Sequence, residues 1–378
     1  MLSSTLFQRS ALALAVGTSL LLNACSDSQP ESTEPLASEE APVTEPTPKA
    51  KKLPSEIIDL TNWYITVPVD LDNNLRADNI HNPELKEYQL DNFFYVDEND
   101  HVVFATPNKA ITTPNSTNSR SELRHLVSGD PKMSTKDPKN NFVLASHPNA
   151  AAYGSVGGRL EATLKVDHVP LNAKYGEKPP ADSVVVGQIH AGKDEELKKE
   201  GKGFGWGNEP LKIFYKKFPH HETGSVFWNY ERNLVKEDPN RIDIDYAVWG
   251  YGWESQEDPG EAGIALGETF SYVVNVEGDI MYLEFSAENR PTVKHQINLA
   301  DNVDANGNVD EFDEKEGYLK DWMYFKAGAY DQCSTKDDPN FRYPACPGTG
   351  DWETDKANGD YTSVTFSKIS LSAPTPVE

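Results

Sequence analysis

Short segments in which apolar and polar residues alternate dominate the chain from residue 55 onward. Residues 159–166 alternate almost without interruption, which is the period of a strand with one buried and one solvated face. Seven further segments read as strands: residues 62–68, 101–105, 183–190, 270–276, 280–286, 323–330 and 361–371. Helical periodicity is scarce and predicts short helices at residues 83–90 and 193–202 only. The pattern predicts one all-β domain over residues 55–378, built as a sandwich of antiparallel sheets.

The charge balance and the mean hydropathy each exclude one broad class of protein. The chain has 60 acidic and 35 basic residues, which gives a formal net charge of -25. A nucleic-acid partner is therefore not expected, because binding phosphates requires a basic surface. The mean hydropathy of -0.61 excludes a protein with several membrane spans.

The first 24 residues have the layout of a secretory signal peptide. Arg9 precedes an apolar run over residues 11–22 that is too short to remain as a membrane-spanning helix. The run leads into Leu-Asn-Ala-Cys, which resembles a bacterial lipoprotein box, so we expect lipidation at Cys25. Ser26, by resemblance to the bacterial sorting rule, favours anchoring to the outer membrane or cell surface of a Gram-negative bacterium. An ordinary signal peptide followed by a chance cysteine is the alternative.

Residues 25–54 are expected to form a disordered tether. They consist largely of Pro, Glu, Ser, Thr and Ala, with almost no large apolar side chain. Such a segment cannot bury enough surface to offset the entropy lost on ordering. Membrane contact is therefore expected only through the lipid at the start of this tether.

The two remaining cysteines are expected to form a disulfide. Exported proteins meet an oxidising compartment, where Cys333 and Cys346 can pair across a short loop. A metal site is disfavoured because no histidine lies nearby and the spacing is too long for a zinc knuckle.

Three strand segments carry clusters of polar residues, and the first is residues 119–125. Its alternation places Arg120, Glu122 and Arg124 on one face. Two guanidinium groups around a carboxylate can form an anion site whose geometry the carboxylate fixes. A solvated ladder of salt bridges is the alternative for this segment.

The second segment, residues 183–190, ends in a polar pair on an otherwise apolar strand. Its alternation places Gln188 and His190 side by side, with Val185, Gly187 and Ile189 pointing the other way. The pair offers an amide donor and a titratable base on one surface. A core histidine satisfied by a backbone carbonyl is the alternative.

The third segment, residues 324–332, presents Tyr324, Lys326, Gly328, Tyr330 and Gln332 on one face. The glycine is expected to leave room for a ligand to approach the backbone. A polar exterior face of a sheet is the alternative.

These motifs in this order resemble the alginate lyases of polysaccharide lyase family seven. They are Arg-Ser-Glu-Leu-Arg at residues 120–124, Gln-Ile-His at 188–190 and Tyr-Phe-Lys-Ala-Gly-Ala-Tyr-Asp-Gln at 324–332, with Asn-Trp-Tyr-Ile-Thr-Val-Pro at 62–68 extending the similarity. The resemblance implies a β-jelly roll of two antiparallel sheets with a concave substrate groove. It also implies that the groove binds alginate, an anionic polysaccharide, and cleaves it by β-elimination to unsaturated oligouronates without a required cofactor.

The resemblance also assigns roles to individual residues. The implied catalytic residues are Arg120, Gln188, His190 and Tyr330. The implied substrate-binding or orienting residues are Glu122, Arg124, Lys326 and Gln332. The Ile of the Gln-Ile-His motif resembles family members that accept guluronate, so guluronate-rich regions are the expected substrate. We expect a monomer.

The chemistry of these side chains fits that reaction. Removing the C5 proton of a uronate builds negative charge on its carboxylate, which Arg120 and Gln188 can neutralise. In guluronate the C5 hydrogen and the O4 leaving group lie on opposite ring faces, so His190 is expected as base and Tyr330 as acid. In mannuronate both lie on one face, and Tyr330 could perform both roles.

Two other functions remain open at this level. A glycoside hydrolase on a jelly roll would need paired carboxylates on one strand face, which Asp243 and Asp245 could supply. A surface lectin could bind polyuronate without cleaving it, although it would not need both a His and a Tyr on the binding face.

A structural calcium ion is a further possibility, in addition to any of these functions. Residues 302–307, with Asp313 at the twelfth position, echo an EF-hand loop. A solvated acidic turn is the favoured interpretation, because the first and last ligands are weak choices and no helices flank the loop.

Overall fold

The computed structural model describes residues 51–172, 182–202, 207–338, 343 and 345–377. All of them fall in one compact unit. The expected signal peptide, Cys25 and the tether up to residue 50 lie outside the described residues and stay predictions. Within the described part of the chain, no helix is both long and apolar enough to cross a membrane.

Strands make up most of the regular structure. In chain order the described strands are β1 Trp63–Thr66, β2 Asn79–Ile80, β3 Phe94–Val96, β4 Val102–Pro107, β5 Asn118–His125, β6 Phe142–Val143, β7 Ser155–Val156, β8 Gly158–His168, β9 Ser183–Lys193, β10 Leu211–Lys216, β11 Ser225–Glu231, β12 Asp243–Trp249, β13 Thr269–Glu277, β14 Ile280–Ala287, β15 Val293–Asn298, β16 Asp321–Ser334 and β17 Tyr361–Ser372.

The helices are short and lie between strands. Helix α1 spans Glu195–Lys199, where the Asp194 side chain accepts the backbone N–H groups of the first turn, and α2 spans Trp352–Asn358. Single 3-10 turns occur at Pro54–Glu56, Glu84–Glu87, Pro138–Asn140, Ala150–Ala152 and Gly260–Ala262. The predicted helix at residues 193–202 is thus confirmed as α1, whereas the one predicted at 83–90 is only a 3-10 turn.

The strands form two packed sheets. One has the order β12-β11-β10-β9-β16-β5-β1-β2, with β6 and β7 attached to it, and the other has the order β15-β14-β13-β8-β17-β4-β3. Neighbours along both paths are antiparallel, and only the two-residue β6–β7 pair is parallel among the strand pairs described. The core lies between the sheets, where Tyr272 of one donates a hydrogen bond to Val186 O of the other. The predicted all-β sandwich is confirmed.

Each of the eight strand segments predicted from alternation overlaps an observed strand, although β1 is shorter than the predicted segment 62–68. The clearest one, β8, alternates buried and half-buried residues along nearly its whole length. Strands β10, β11 and β12 were not predicted. Every residue of β10 and β11 is buried, including Lys212 and Glu231, so a side chain's polarity no longer indicates which face it occupies.

A bulge in β9 shifts the predicted alternation. Between Gly187 and Val185, β9 advances by two residues while its partner β10 advances by one, so Val186 is the extra residue. Val186 packs in the core, whereas Val185 packs beside Tyr330 on the outer face. The prediction that Val185 points the same way as Gly187 is therefore wrong.

Gly328 has a different role from the one predicted. Its φ is +146°, and a Cβ placed there would lie 2.5 Å from Ser121 O and 3.2 Å from Phe104 Cδ1. The glycine is required because β16 approaches β5 and the core too closely for a side chain. It does not open space for a ligand.

The predicted disulfide is confirmed. Cys333 and Cys346 are joined, with their Cα atoms 5.4 Å apart, and both are buried. The bridge ties the end of β16 to the segment that precedes α2.

Candidate active site

The three motif strands are neighbours in the ten-stranded sheet, in the order β9-β16-β5. Lys326 of β16 lies opposite Arg124 of β5 on one side and opposite Gln188 of β9 on the other. Tyr330 lies opposite Arg120 in the same register. Paired residues of adjacent antiparallel strands point to the same face. The register therefore gathers the motif side chains on the outer face of this sheet, which we call the site face.

Glu122 is the centre of the first group on the site face. Arg120 Nη1 lies 3.0 Å from Glu122 Oε2, and the same carboxylate accepts hydrogen bonds from Lys326 Nζ and Gln188 Nε2. Glu122 is only 2% exposed. We call Glu122, Arg120, Gln188 and Lys326 the Glu122 cluster.

The Glu122 cluster keeps its carboxylate ionised. Burial acts to raise the pKa of Glu122, but Lys326 and Arg120 oppose it, and the net pKa lies below its usual range. Burial and the neighbouring Arg120 lower the pKa of Lys326 to about 8. Two cations share one protein carboxylate here, so the cluster has positive charge to offer a second anion.

Tyr330 lies against the Glu122 cluster. The guanidinium carbon of Arg120 lies 4.0 Å from the centroid of the Tyr330 ring, and Lys326 Nζ lies 5.6 Å from it. Burial raises the pKa of Tyr330, although Arg120 opposes this. The phenol is therefore protonated at neutral pH and can act as a proton donor.

His190 lies on the site face opposite Tyr324, at the other end of the group of motif side chains from Tyr330. Its Nδ1 is 2.8 Å from Ala191 O, its Nε2 is 3.3 Å from Glu209 Oε1, and its ring stacks on Tyr324. Burial lowers the pKa of His190, with Glu209 opposing and Lys326 adding to the shift. The imidazole is therefore neutral at neutral pH, which a general base requires.

The other predicted binding residues have different surroundings. Arg124 donates hydrogen bonds to His125 O at 2.7 Å and Thr135 O at 2.6 Å, and its guanidinium packs on the Tyr324 ring. The amide of Gln332 donates to the backbone at residues 330 and 331. Arg124 thus orients Tyr324, and Gln332 stabilises the backbone beside Tyr330. Glu122 and Lys326, by contrast, contact the candidate catalytic residues directly.

A second group of buried charges lies next to His190. Glu209, Lys212, Glu231, Arg241 and Asp243 form this Glu231 cluster. Lys212 Nζ lies 3.3 Å from Glu209, 3.2 Å from Asp243 and 3.9 Å from Glu231, and Arg241 Nη2 lies 2.7 Å from Glu231. The backbone N–H of Glu209 donates to Glu231 Oε2 at 2.9 Å.

The ionisation of the Glu231 cluster differs from that of the Glu122 cluster. Burial raises the pKa of Glu231 well above its usual value; Lys212 and Arg241 face the carboxyl, but Glu209 and Asp243 add negative charge around it. The carboxylates of Asp243, Glu209 and Glu231 keep Lys212 charged against the effect of burial, with its pKa raised well above its usual value. Sequence motifs gave no signal for this cluster, which joins residues from three strands and the loops between them.

An aromatic patch lies beside Tyr330 on the site face. Val185, Phe214 and Phe227 are buried together, and Trp253 and Tyr330 pack against them. Lys212 and Phe214 lie on the site face of β10 because they alternate along the strand with Leu211, Ile213 and Tyr215, which pack in the core.

The predicted hydrolase carboxylates have structural partners. Asp243 pairs with Lys212, and Asp245 Oδ2 accepts the backbone N–H of Trp253 at 2.9 Å. Both lie on β12, at the edge of the sheet, and three strands separate β12 from β16. Their arrangement is that of residues that fix an edge strand and the following loop.

The loop that echoes an EF-hand uses carboxylate oxygens for hydrogen bonds within the protein. Asp304 caps the backbone of residues 306 and 308, and Asp313 accepts hydrogen bonds from the Tyr230 hydroxyl at 2.7 Å and the Asn233 N–H at 2.8 Å. In the described part of the chain, three acidic side chains come within 4.8 Å of one another at a different place: Asp70, Asp72 and Asp78. These carboxylates accept backbone N–H groups of residues 71, 74 and 75, which is how an acidic turn is stabilised.

Comparisons with known proteins point to one family. A family model described as alginate lyase matches residues 58–373. An alginate lyase of Klebsiella pneumoniae is 34% identical over 301 residues, which cover 77% of this chain and 88% of that protein.

Solved structures give the same result. A crystal structure of an alginate lyase from Klebsiella pneumoniae is similar with a TM-score of 0.63 and 29% identity, over 85% of this chain and 99% of that one. That of an exolytic family 7 alginate lyase from Zobellia galactanivorans is similar with a TM-score of 0.64 and 34% identity, over 86% and 99%.

Proposed function

The chain belongs to the alginate lyase family, and from this premise we propose that it cleaves alginate by β-elimination, preferring guluronate-rich regions. The observation that carries the proposal is the gathering of Arg120, Gln188, His190 and Tyr330 on one face of three neighbouring strands. These side chains can neutralise a carboxylate, remove a proton and donate one, which are the three requirements of the reaction.

The Glu122 cluster binds the carboxylate of the uronate at which cleavage occurs. Arg120 and Gln188 supply donors to it. An ion pair with Glu122 holds Arg120 in place before the substrate arrives, and a hydrogen bond to Glu122 holds Gln188. As the C5 proton leaves, charge moves onto this carboxylate and its hydrogen bonds strengthen. Stabilisation of this kind acts on the transition state more than on the bound substrate.

His190 and Tyr330 then divide the proton transfers in guluronate. Nε2 of His190 takes the C5 proton, because Nδ1 faces the backbone carbonyl of Ala191. The C4–O4 bond breaks as the C4–C5 double bond forms, and the Tyr330 hydroxyl protonates the departing O4. In mannuronate, Tyr330 performs both transfers: its hydroxyl first releases its proton, the phenolate takes the C5 proton, and the phenol so formed protonates the departing O4.

No step of this reaction calls for a metal ion. Arg120 and Lys326 provide the positive charge at the carboxylate, so we propose that the enzyme works without a cofactor. Incubation with a chelator should leave the initial rate unchanged, and loss of activity that calcium restores would contradict this.

The function is tested by incubating the domain separately with polyguluronate and polymannuronate. Elimination produces a conjugated double bond that absorbs in the ultraviolet, and the absorbance should rise faster on polyguluronate. Shorter chains without new absorbance would indicate hydrolysis, and binding without shortening would indicate a lectin. The length of the products over time separates cleavage within the polymer from cleavage at its ends.

We also propose that the enzyme is exported and anchored by a lipid on Cys25. The support is the Leu-Asn-Ala-Cys sequence at the end of an apolar run, ahead of a Pro-rich segment. Cys25→Ser should move the protein from the membrane fraction to the soluble fraction without changing its specific activity. A wild-type protein found entirely in the soluble fraction would contradict the anchor.

A further inference from the structure

The ring of His190 is held between two oxygen atoms. Nδ1 lies 2.8 Å from Ala191 O, a hydrogen-bond acceptor, so Nδ1 must carry a proton to bond there. Nε2 is then the atom left to act as the base. That atom lies 3.3 Å from Glu209 Oε1.

Glu209 is held at this position by the protein behind it. Its second oxygen, Oε2, lies 3.3 Å from Lys212 Nζ, and its backbone N–H donates to Glu231 Oε2. Its side chain is only 18% exposed. Lys212 is fully buried and charged, so it favours an ionised Glu209 that bridges a fixed cation and the ring of the base.

We propose that Glu209 is a positioning residue for guluronate cleavage, placed to stabilise the imidazolium that forms when Nε2 of His190 takes the C5 proton. The proposal rests on the proposed role of His190 as the base for guluronate. In the substrate-free enzyme the hydrogen bond from Nδ1–H to Ala191 O fixes the ring orientation, and Nε2 and Glu209 Oε1 are both acceptors that gain a hydrogen bond only when Nε2 is protonated. After the transfer, the proton on Nε2 lies next to a carboxylate that can accept it and pass it to solvent.

The groups around His190 determine how Glu209 affects its titration. Lys326 and Tyr324 face it from β16, Arg120 from β5, Gln188 from its own strand, and Glu209 from the loop before β10. Burial, Lys326 and Arg120 lower the pKa of His190, and Glu209 opposes them. Removing the carboxylate therefore lowers this pKa further.

The test is the pH profile of Glu209→Gln on the two polymers. A carboxylate in contact with an imidazole shifts its pKa by about one unit, so the acidic limb of the polyguluronate kcat/KM profile should move about one pH unit lower. The plateau rate should fall up to about tenfold, because a weaker base transfers the proton more slowly. Polymannuronate cleavage should change less, and KM should not rise, because the lost charge repels an anionic substrate.

Two matched variants serve as controls. Glu209→Asp keeps the charge and should keep the acidic limb near its wild-type position. Asp243→Asn removes a carboxylate from the same cluster that faces Lys212 rather than His190, and it should not move the limb. A direct titration of the His190 ring by NMR should show a lower pKa in Glu209→Gln than in the wild type, even if that variant has little activity.

Several results would overturn the inference. The first is that Glu209→Gln changes neither the acidic limb nor the pKa of His190. The second is that Glu209→Gln lowers the rate equally on both polymers. The third is that Asp243→Asn moves the acidic limb as far as Glu209→Gln does. Failure of the underlying assignment looks different, since His190→Asn would then leave polyguluronate cleavage intact.

Discussion

The site face carries two buried acidic side chains whose pKa values shift in opposite directions, Glu122 and Glu231. Glu122 is surrounded by two cations, Arg120 and Lys326, and its pKa is lowered even though burial acts to raise it. The Glu231 cluster has three acids and two cations, and there the pKa of Glu231 is raised. Burial is nearly complete at both residues, so the ratio of cations to carboxylates decides the difference.

This difference separates two tasks on one sheet face. The Glu122 cluster has a cation in excess of its protein carboxylate and is suited to bind the carboxylate of a uronate. In the Glu231 cluster three acids face two cations, and with burial this raises the pKa of Glu231. The Glu231 cluster presents Glu209 to His190 rather than presenting free positive charge to the substrate.

Tyr330→Phe tests the side of the site that serves both sugars, and it should have the largest effect. The ring remains packed against Arg120, but the proton donor is lost, so turnover should fall by about 10²- to 10⁴-fold on both polymers while binding survives. Kinetics on polyguluronate and polymannuronate measure this. Near-normal turnover would show that Tyr330 is not the acid.

His190→Asn tests the side next to the Glu231 cluster. It removes the base for guluronate and keeps a polar donor, so polyguluronate cleavage should fall by about 10²-fold or more while any mannuronate activity falls less. The comparison is the ratio of the two rates in wild type and variant. A greater loss on polymannuronate would contradict the division of roles between His190 and Tyr330.

The shared face of the Glu122 cluster and Tyr330 could largely be predicted from the sequence. Residues 120–124 and 324–330 alternate regularly, and alternation gives the face of each side chain without knowledge of distant contacts. It failed at Val185, where a bulge adds one residue, and at Gly328, where the close approach of β5 to β16 decides the residue type. Both depend on how strands pair, which is not visible within one strand.

The assembly of the Glu231 cluster next to His190 could not be predicted from the sequence. Glu209 lies in a loop, and it meets His190 only because β10 pairs with β9. Strands β10 and β11 bury charged and aromatic residues on the site face as well as apolar residues in the core, so their sequences lack the contrast that marks a half-exposed strand. The motifs thus gave the residues proposed for the reaction but not the residues next to the proposed base.

Glu122→Gln should destabilise the protein more than any other single charge removal discussed here. Without the carboxylate, Arg120 and Lys326 remain buried without their shared partner, which costs about 3–5 kcal/mol in the free energy of unfolding at pH 7. Because folding lowers the pKa of Glu122, its contribution is present above the unfolded value of about 4.5 and is lost as the pH falls through the folded value. The deficit measured by urea unfolding should therefore shrink in acid.

Glu161→Gln is the matched control for Glu122→Gln. Glu161 also pairs with two cations, Arg159 and Lys368, but it lies on β8 with 27% of its side chain exposed. Removing its charge should cost only about 0–1 kcal/mol, because solvent screens the pairs. Equal losses for the two variants would show that burial of the Glu122 cluster does not set the size of the effect.

Glu231→Gln should not destabilise the protein at pH 7, and near pH 4 the two proteins should agree within about 1 kcal/mol, because the carboxyl is then protonated in the folded and the unfolded protein alike and glutamine has its shape. Folding raises the pKa of Glu231, so its contribution is fully present below about 4.5 and is lost as the pH rises towards the folded value. The wild type should therefore lose stability over that range relative to the variant, and urea unfolding of both proteins across pH 4 to 8 measures the difference. If Glu231→Gln loses as much stability as Glu122→Gln at pH 7, then Glu231 is ionised with Arg241 and Lys212 as its counter-charges. The two clusters would then be alike, and the contrast between them would rest on Glu209 alone.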